Sequence, residues 1–254
     1  MSVSAPDCWT QLPLGREVRL VVRDENGVAA FAKPAGVLSH PNTAKDRPRA
    51  LLTCDYDAVR ECFVWRGSND SEVRLWLLNR LDSATSGVIL AAADEGLART
   101  IKEQFARRRV NKIYQALVFG SPRVAKEVWR DRLAIEKRGG MIRSGAAGNV
   151  PAESHFSVVH RRPGQPPLAL VQLDPKTGRS HQLRVQCARR GLPIVGDQTY
   201  GDFRMNREFA RHTGLKRLFL HSLETRFSYE VGGRSFAFSA SAPLPEEFAA
   251  ALGA

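Results

Sequence analysis

Apolar and polar positions alternate most regularly at two places in the chain. In "VRLVVRDENGVAAFAK" the apolar positions Val18, Leu20 and Val22 run up to Asn26-Gly27, and the pattern resumes with Ala29 and Phe31. In "TRFSYEVGGRSFAFSAS" the positions Phe227, Tyr229 and Val231 lead to Gly232-Gly233, and Phe236 and Phe238 follow. A period of two interrupted by Asn-Gly or Gly-Gly predicts β-hairpins with tight turns. Further strands are expected at "SGVILAAA", "KIYQALVFG", "ESHFSVVH" and "PLALVQLD".

Helical periodicity is rarer. After Asp94 as a cap, Leu97, Ile101 and Phe105 fall at i, i+4 and i+8. "SHQLRVQCARRG" predicts a second helix, with Ser180 as N-cap, Gly191 as stop and Pro193 beyond it. Pro245 opens a short terminal helix in "PEEFAAAL". "HPNTAKDRPRA", "KRGGMIRSGAAGNVPA" and "RRPGQPPL" read as loops, the middle one disordered. Strands outnumber helices, so the fold class is α+β on a mostly antiparallel sheet with flanking helices. No repeat and no clear boundary divides residues 1–254, and a single domain is expected.

Composition narrows the function. Of 254 residues, 43% are hydrophobic, enough for a core, while 38 Lys and Arg against 26 Asp and Glu give a net charge of +12. A polyanionic partner is therefore the first to consider. No apolar run is long enough to span a bilayer, and the start lacks the basic and apolar regions of a secretory signal, so a cytoplasmic location is expected. Cys8, Cys54, Cys62 and Cys187 show neither CxxC spacing nor a metal-ligand pattern with the six histidines, which fits reduced structural thiols.

The positive charge is concentrated. "RTIKEQFARRRVNK" carries Arg99, Lys102, Arg107, Arg108, Arg109 and Lys112 against Glu103 alone, and "CARRG" follows the second helix. One-sided charge of this kind favours nucleic acid over a salt-bridged surface helix. There is no zinc-finger spacing, basic zipper or aromatic RNP signature to support a standard duplex reader.

Candidate chemistry centres on "RLDSATSG", where Asp82 stands between Arg80 and a Thr85-Ser86-Gly87 turn ahead of an apolar strand. A carboxylate there either caps the turn or performs chemistry. In "KTGRSHQLRV" a helix places His181, Arg184 and Ala188 on one face, away from Leu183 and Cys187. Tyr114 lies in an expected strand, where packing is the usual duty of a tyrosine.

"RLDSATSG", "KIYQALVFG", "TGRSHQLRV", "GLPIVGDQTYG" and "RLFLHSLETRF", in that order, resemble the motifs of the RluA-like family of pseudouridine synthases, and "AFAKPAGVLSHP" is similar to that family's Lys-Pro-x-Gly segment. The likeness runs from about Asp24 to Phe238. It implies a pseudouridine synthase fold with a central RNA-binding cleft, and an isomerase that converts uridine in rRNA or tRNA to pseudouridine without metal or organic cofactor. It assigns the essential aspartate to Asp82, the motif tyrosine to Tyr114 and the motif arginine to Arg184. Arg80 falls on the arginine that holds the target nucleotide out of its stack, and Lys112, His181, Arg107, Arg108 and Arg109 are expected to bind the RNA.

Chemistry agrees with those roles. Moving C1′ from N1 to C5 of uracil needs a carboxylate against the ribose, to attack C1′ or to take a proton from C2′. Tyr114 would stack on the base and lie near the C5 proton, though a phenol is a poor base unless activated. A guanidinium at Arg184 would keep a buried carboxylate ionised. The chain departs from the family at Asn79, usually His, at Ser180, usually Thr, and at Ala32, often Asn. No separate S4-type RNA-binding domain is expected, and a monomer is expected. The competing reading is an inactive RNA-binding or RNA-folding protein on the same scaffold.

Overall fold

The computed structural model describes residues 9, 11–68, 70–138 and 141–253, the side chains of 135–147 apart. The chain divides into two compact units, each assembled from separate stretches: residues up to Val110 with Glu224–Ala242, and Asn111–Leu223 with Pro243–Ala254.

In the first unit β1 (Arg19–Arg23) and β2 (Val28–Lys33) form the expected antiparallel hairpin, with Gly27 at φ 92°. Such a turn needs the left-handed backbone that glycine adopts without a Cβ penalty. A 3-10 turn, Ala44–Arg49, interrupts the expected first loop. β3 (Asp55–Asp57), β4 (Cys62–Arg66) and β5 (Glu72–Leu77) follow as an antiparallel meander. It joins β6 (Ser86–Ala92), every residue of which is buried. The whole of β2 pairs with β6, from Val28↔Ala92 to Lys33↔Gly87.

α1 (Glu95–Ala106) begins where Asp94 Oδ1 accepts the Leu97 amide at 2.8 Å. Its Leu97 and Ile101 pack on Val28, Val88 and Leu90 together with Phe227, Tyr229 and Phe238. Ile101 is fully buried, and truncation to Ala would cost about 2–5 kcal/mol.

The second unit opens with β7 (Asn111–Phe119). β8 (Lys126–Arg138), β9 (Met141–Arg162) and β10 (Leu168–Pro175) complete an antiparallel sheet of order β7-β10-β9-β8. The loop expected over "KRGGMIRSGAAGNVPA" is corrected here. Outside residues 139 and 140, which are not described, that stretch is strand, paired from Arg138↔Met141 onward. Gly148 serves an irregularity in the ladder. The register shifts between Leu133 and Ala134, and a Cβ at Gly148 would lie 2.2 Å from the Ala134 nitrogen.

α2 (Gln182–Arg189) and α3 (Phe203–Thr213) follow. The N-cap of α2 is His181, at φ 54°, and not Ser180. Gly191, at φ 64°, ends it as expected. β11 (Leu220–Val231) then leads into the first unit, where it pairs with β12 (Arg234–Ser241) across Gly232-Gly233. α4 (Glu246–Leu252) closes the second unit, its Phe248 packed edge-on against Phe219. Every pairing between the named strands described here is antiparallel, in accord with the expected α+β class.

Candidate active site

The predicted residues are distributed over both units. Arg80, Asp82, Arg107, Arg108 and Arg109 belong to the first; Lys112, Tyr114, His181 and Arg184 belong to the second.

In the first unit Asp82 lies on the connection between β5 and β6, half-buried, with Arg80 exposed. This connection is held at nearly every residue. The Asn79 Oδ1 accepts the Leu90 amide at 2.8 Å, and the Leu78 amide donates to the Leu90 carbonyl at 2.9 Å. Ser39 Oγ accepts the Leu81 amide at 2.9 Å and donates to the Leu81 carbonyl at 2.7 Å. The Thr85 amide donates to the Asp82 carbonyl at 3.0 Å.

Behind it lies Lys33, only 1% exposed, whose ammonium donates to the carbonyls of Ser83 at 3.0 Å, Val37 at 2.7 Å and Pro34 at 3.0 Å. The Gly36 amide also reaches the Ser83 carbonyl, at 2.8 Å. An ammonium has three protons, and burial is tolerable when each finds an acceptor. The Lys-Pro-Ala-Gly segment is thus a brace for the Asp82 loop, a role that sequence reasoning did not assign. Asn79 keeps a defined duty despite replacing histidine: it anchors the loop to β6.

Arg107, Arg108 and Arg109 are exposed at the exit of α1. Arg107 is shared with Glu103 at 3.2 Å, and Arg108 sits at φ 57°.

In the second unit Tyr114 stands on β7 opposite Leu173 of β10, half-buried. Two residues earlier is Lys112, whose Nζ lies 3.6 Å from where a Cβ on Gly178 would be. Burial pulls the Lys112 ammonium below the usual lysine range, opposed by the charge of Asp174. Asp174 accepts from Lys176 at 2.5 Å through Oδ2.

The turn before α2 is fixed by Gln182. Its Oε1 accepts from Thr177 Oγ1 at 2.7 Å and from the Arg179 amide at 3.1 Å, while its Nε2 donates to the Glu153 carbonyl at 3.0 Å. This wiring leaves His181 in the left-handed conformation, with its Nδ1 2.8 Å from the Tyr200 hydroxyl.

Arg184 is 8% exposed, not the surface arginine that its residue type favours. Its Nε and Nη2 donate to the two carboxylate oxygens of Asp197, each at 2.8 Å, and its Cζ lies 5.1 Å from the centroid of the Tyr200 ring. Asp197 Oδ1 also accepts the amides of Thr199 and Tyr200. Burial pushes the Asp197 carboxyl up, but Arg184 and those two amides outweigh it and hold the group below the usual carboxylate range. Asp197 and Tyr200 were not singled out from sequence; their signal was the "GDQTYG" motif directly after the helix. Among the described residues, no cluster of three His, Cys, Asp or Glu side chains suited to a metal ion occurs, and Cys54, Cys62 and Cys187 are free thiols. Cys8 lies outside the described residues.

The family profile described as RNA pseudouridylate synthase matches residues 27–189. The chain belongs to the RNA pseudouridylate synthase family. It is 37% identical over 211 residues to the ribosomal large subunit pseudouridine synthase C of Vibrio vulnificus, covering 83% of this chain and 61% of that protein. It is 31% identical over 235 residues to the tRNA pseudouridine synthase C of Yersinia pestis, covering 88% and 86%. The chain therefore spans less than two thirds of the ribosomal relative's length. The solved structure of human RNA pseudouridylate synthase domain containing 4 superimposes with a TM-score of 0.63 at 22% identity, over 92% of this chain and 91% of that one, so the fold is that of a pseudouridine synthase.

Proposed function

We propose that this protein is an RNA pseudouridine synthase, isomerising specific uridines of rRNA or tRNA, with Asp82 as the carboxylate that works on the ribose. One observation carries the reading: in a chain of this family, the Asp82 loop is braced by a fully buried lysine and by both hydrogen bonds of Ser39. Such bracing preorganises a catalytic side chain and exceeds what a turn cap needs.

The reaction breaks N1–C1′, joins C5 to C1′, and exchanges the C5 proton for one gained at N1, so atoms and electrons balance within the substrate and no redox partner is required. Asp82 either attacks C1′ or removes the C2′ proton. Tyr114 is assigned to stacking on the uracil, and Arg184, held at a fixed angle by Asp197, to the electrostatics of the reacting nucleotide. Arg80 fills the place of the everted base. Lys112 and His181 line the RNA path, and Arg107, Arg108 and Arg109 hold flanking phosphates. The protein is expected to work as a cytoplasmic monomer, its two units serving as one catalytic domain without metal or organic cofactor.

The test is to incubate RNA from cells lacking the gene with wild type or Asp82→Asn and to map pseudouridine by carbodiimide adducts. Wild type should create sites that Asp82→Asn does not. Identical maps would leave only an RNA-binding role.

A further inference from the structure

Next to the Asp82 loop, the first unit carries an aromatic ladder that the reaction does not use. The His40 ring lies parallel to Tyr56, centroids 4.5 Å apart and 9° between planes. Tyr56 in turn meets the fully buried Phe63 edge-on at 5.0 Å. The ladder runs outward from the core, and both His40 and Tyr56 keep part of their surface in solvent.

Its position is fixed by the same bonds that hold the catalytic loop. Ser39, bonded twice to Leu81, is the residue before His40, and Leu81 is flanked by Arg80 and Asp82. His40 Nδ1 lies 3.1 Å from the Pro41 carbonyl, so this nitrogen is the donor and the ring cannot swivel freely. Glu61 lies alongside in a left-handed conformation, φ 54°, with its carbonyl accepting the Leu77 amide at 2.9 Å. A non-glycine residue held there is uncommon and strained. The Glu61 carboxylate accepts from Lys102 of α1 at 2.6 Å, and that ammonium first, with the Arg80 guanidinium, holds the group below the usual carboxylate range. Basic helix, aromatic ladder and Arg80 are therefore neighbours on one unit.

We propose that His40, backed by Tyr56, is a stacking platform for the unpaired nucleobase adjoining the target uridine. An aromatic face flanked by cations, beside the arginine assigned to the vacated place, suits a base whose neighbour has been everted. The chemistry required is a nucleobase face with its attached phosphate, and the proposal rests on the RNA-modifying role above.

Two uridine-rich single-stranded RNA dodecamers test it, with 2-aminopurine directly 5′ or 3′ of a central uridine. Wild type should quench the fluorescence of one of them. His40→Ala should abolish the quench and weaken binding about 5- to 100-fold, and His40→Phe should restore both. Unchanged quench and affinity in His40→Ala overturns the platform, as does a failure of His40→Phe to recover what Ala loses, since the contact would then not be stacking. Thermal melts show whether each variant is folded, and His40→Phe decides if His40→Ala is not. Mapping pseudouridine in cellular RNA separates the two claims. No pseudouridine from wild type with the quench intact refutes the modifying role alone; pseudouridine from wild type with an indifferent His40→Ala refutes the platform alone.

Discussion

Arg184 and Asp197 form a two-pronged ion pair, both contacts 2.8 Å, with side-chain exposures of 9% and 1%. Removing one charge from such a pair strands the other, at a cost of about 3–5 kcal/mol. Asp197→Asn should therefore lower stability by that order in urea melts, and should also reduce turnover. Arg184→Met should abolish turnover while leaving RNA affinity within a few-fold; unchanged turnover would remove Arg184 from the chemistry.

The same pair sets an acid limit. Because the folded-state pKa of Asp197 is depressed, its stabilisation is present above the unfolded value and is lost as pH falls through the folded one. Urea midpoints of wild type should fall below about pH 4, where unfolded aspartate begins to hold its proton. Asp197→Asn should show a shallower decline over that window, and parallel curves would contradict the assignment.

Lys33→Met keeps the chain length and leaves three carbonyls, that of Val37 buried, without their ammonium donor. Each lost bond to a charged donor is worth about 1.5–3 kcal/mol, less whatever water or relaxation restores. The expected outcome is a strongly destabilised protein or, where it folds, a fall in kcat larger than the rise in KM. Full activity would show that the Asp82 loop holds itself.

The basic exit of α1 is tested by salt. Replacing Arg108 and Arg109 should lower the slope of log affinity against log salt by about 0.7 per lost phosphate contact on single-stranded RNA. Arg107 should count for less, since it is shared with Glu103 at 3.2 Å. An unchanged slope would place this cluster off the RNA path.

Gly196, at φ 77°, backs directly on the Arg217 carbonyl, 1.8 Å from where a Cβ would stand. Gly196→Ala must displace backbone rather than a flexible side chain, and should cost at least about 2 kcal/mol. The loss should carry over to catalysis, since the next residue is Asp197.

Features that depend on neighbours in sequence were legible: Asn26-Gly27, Gly232-Gly233, the Asp94 cap and the order of the motifs around Asp82. What escaped depends on tertiary partners. Glu72–Leu77 alternates cleanly, with Val73, Leu75 and Leu77 buried, yet it is missing from the expected strands, since Glu72 and Arg74 make the segment read as polar. Phe203–Thr213 buries only Asn206 and Phe209, too thin an apolar stripe to stand out, although Asp202 and Gly214 cap it. The glycines before Pro151 signalled a loop because the sequence alone does not show that the opposite strand presses on Gly148. At the site, the residue types were readable but their supports were not. Lys33 owes its bracing role to the Ser83 carbonyl, 50 positions away, and Asp197 owes its own to a guanidinium on the preceding helix.

Neither unit is continuous in sequence. The first needs Glu224–Ala242, and the second needs Pro243–Ala254. During synthesis, then, the stretch up to Val110 waits for Glu224–Ala242, and Asn111–Leu223 waits for Pro243–Ala254. A break in synthesis ahead of Glu224 would leave both bodies incomplete, and one between Ala242 and Pro243 would spare the first body alone, so the two differ in how early each can close.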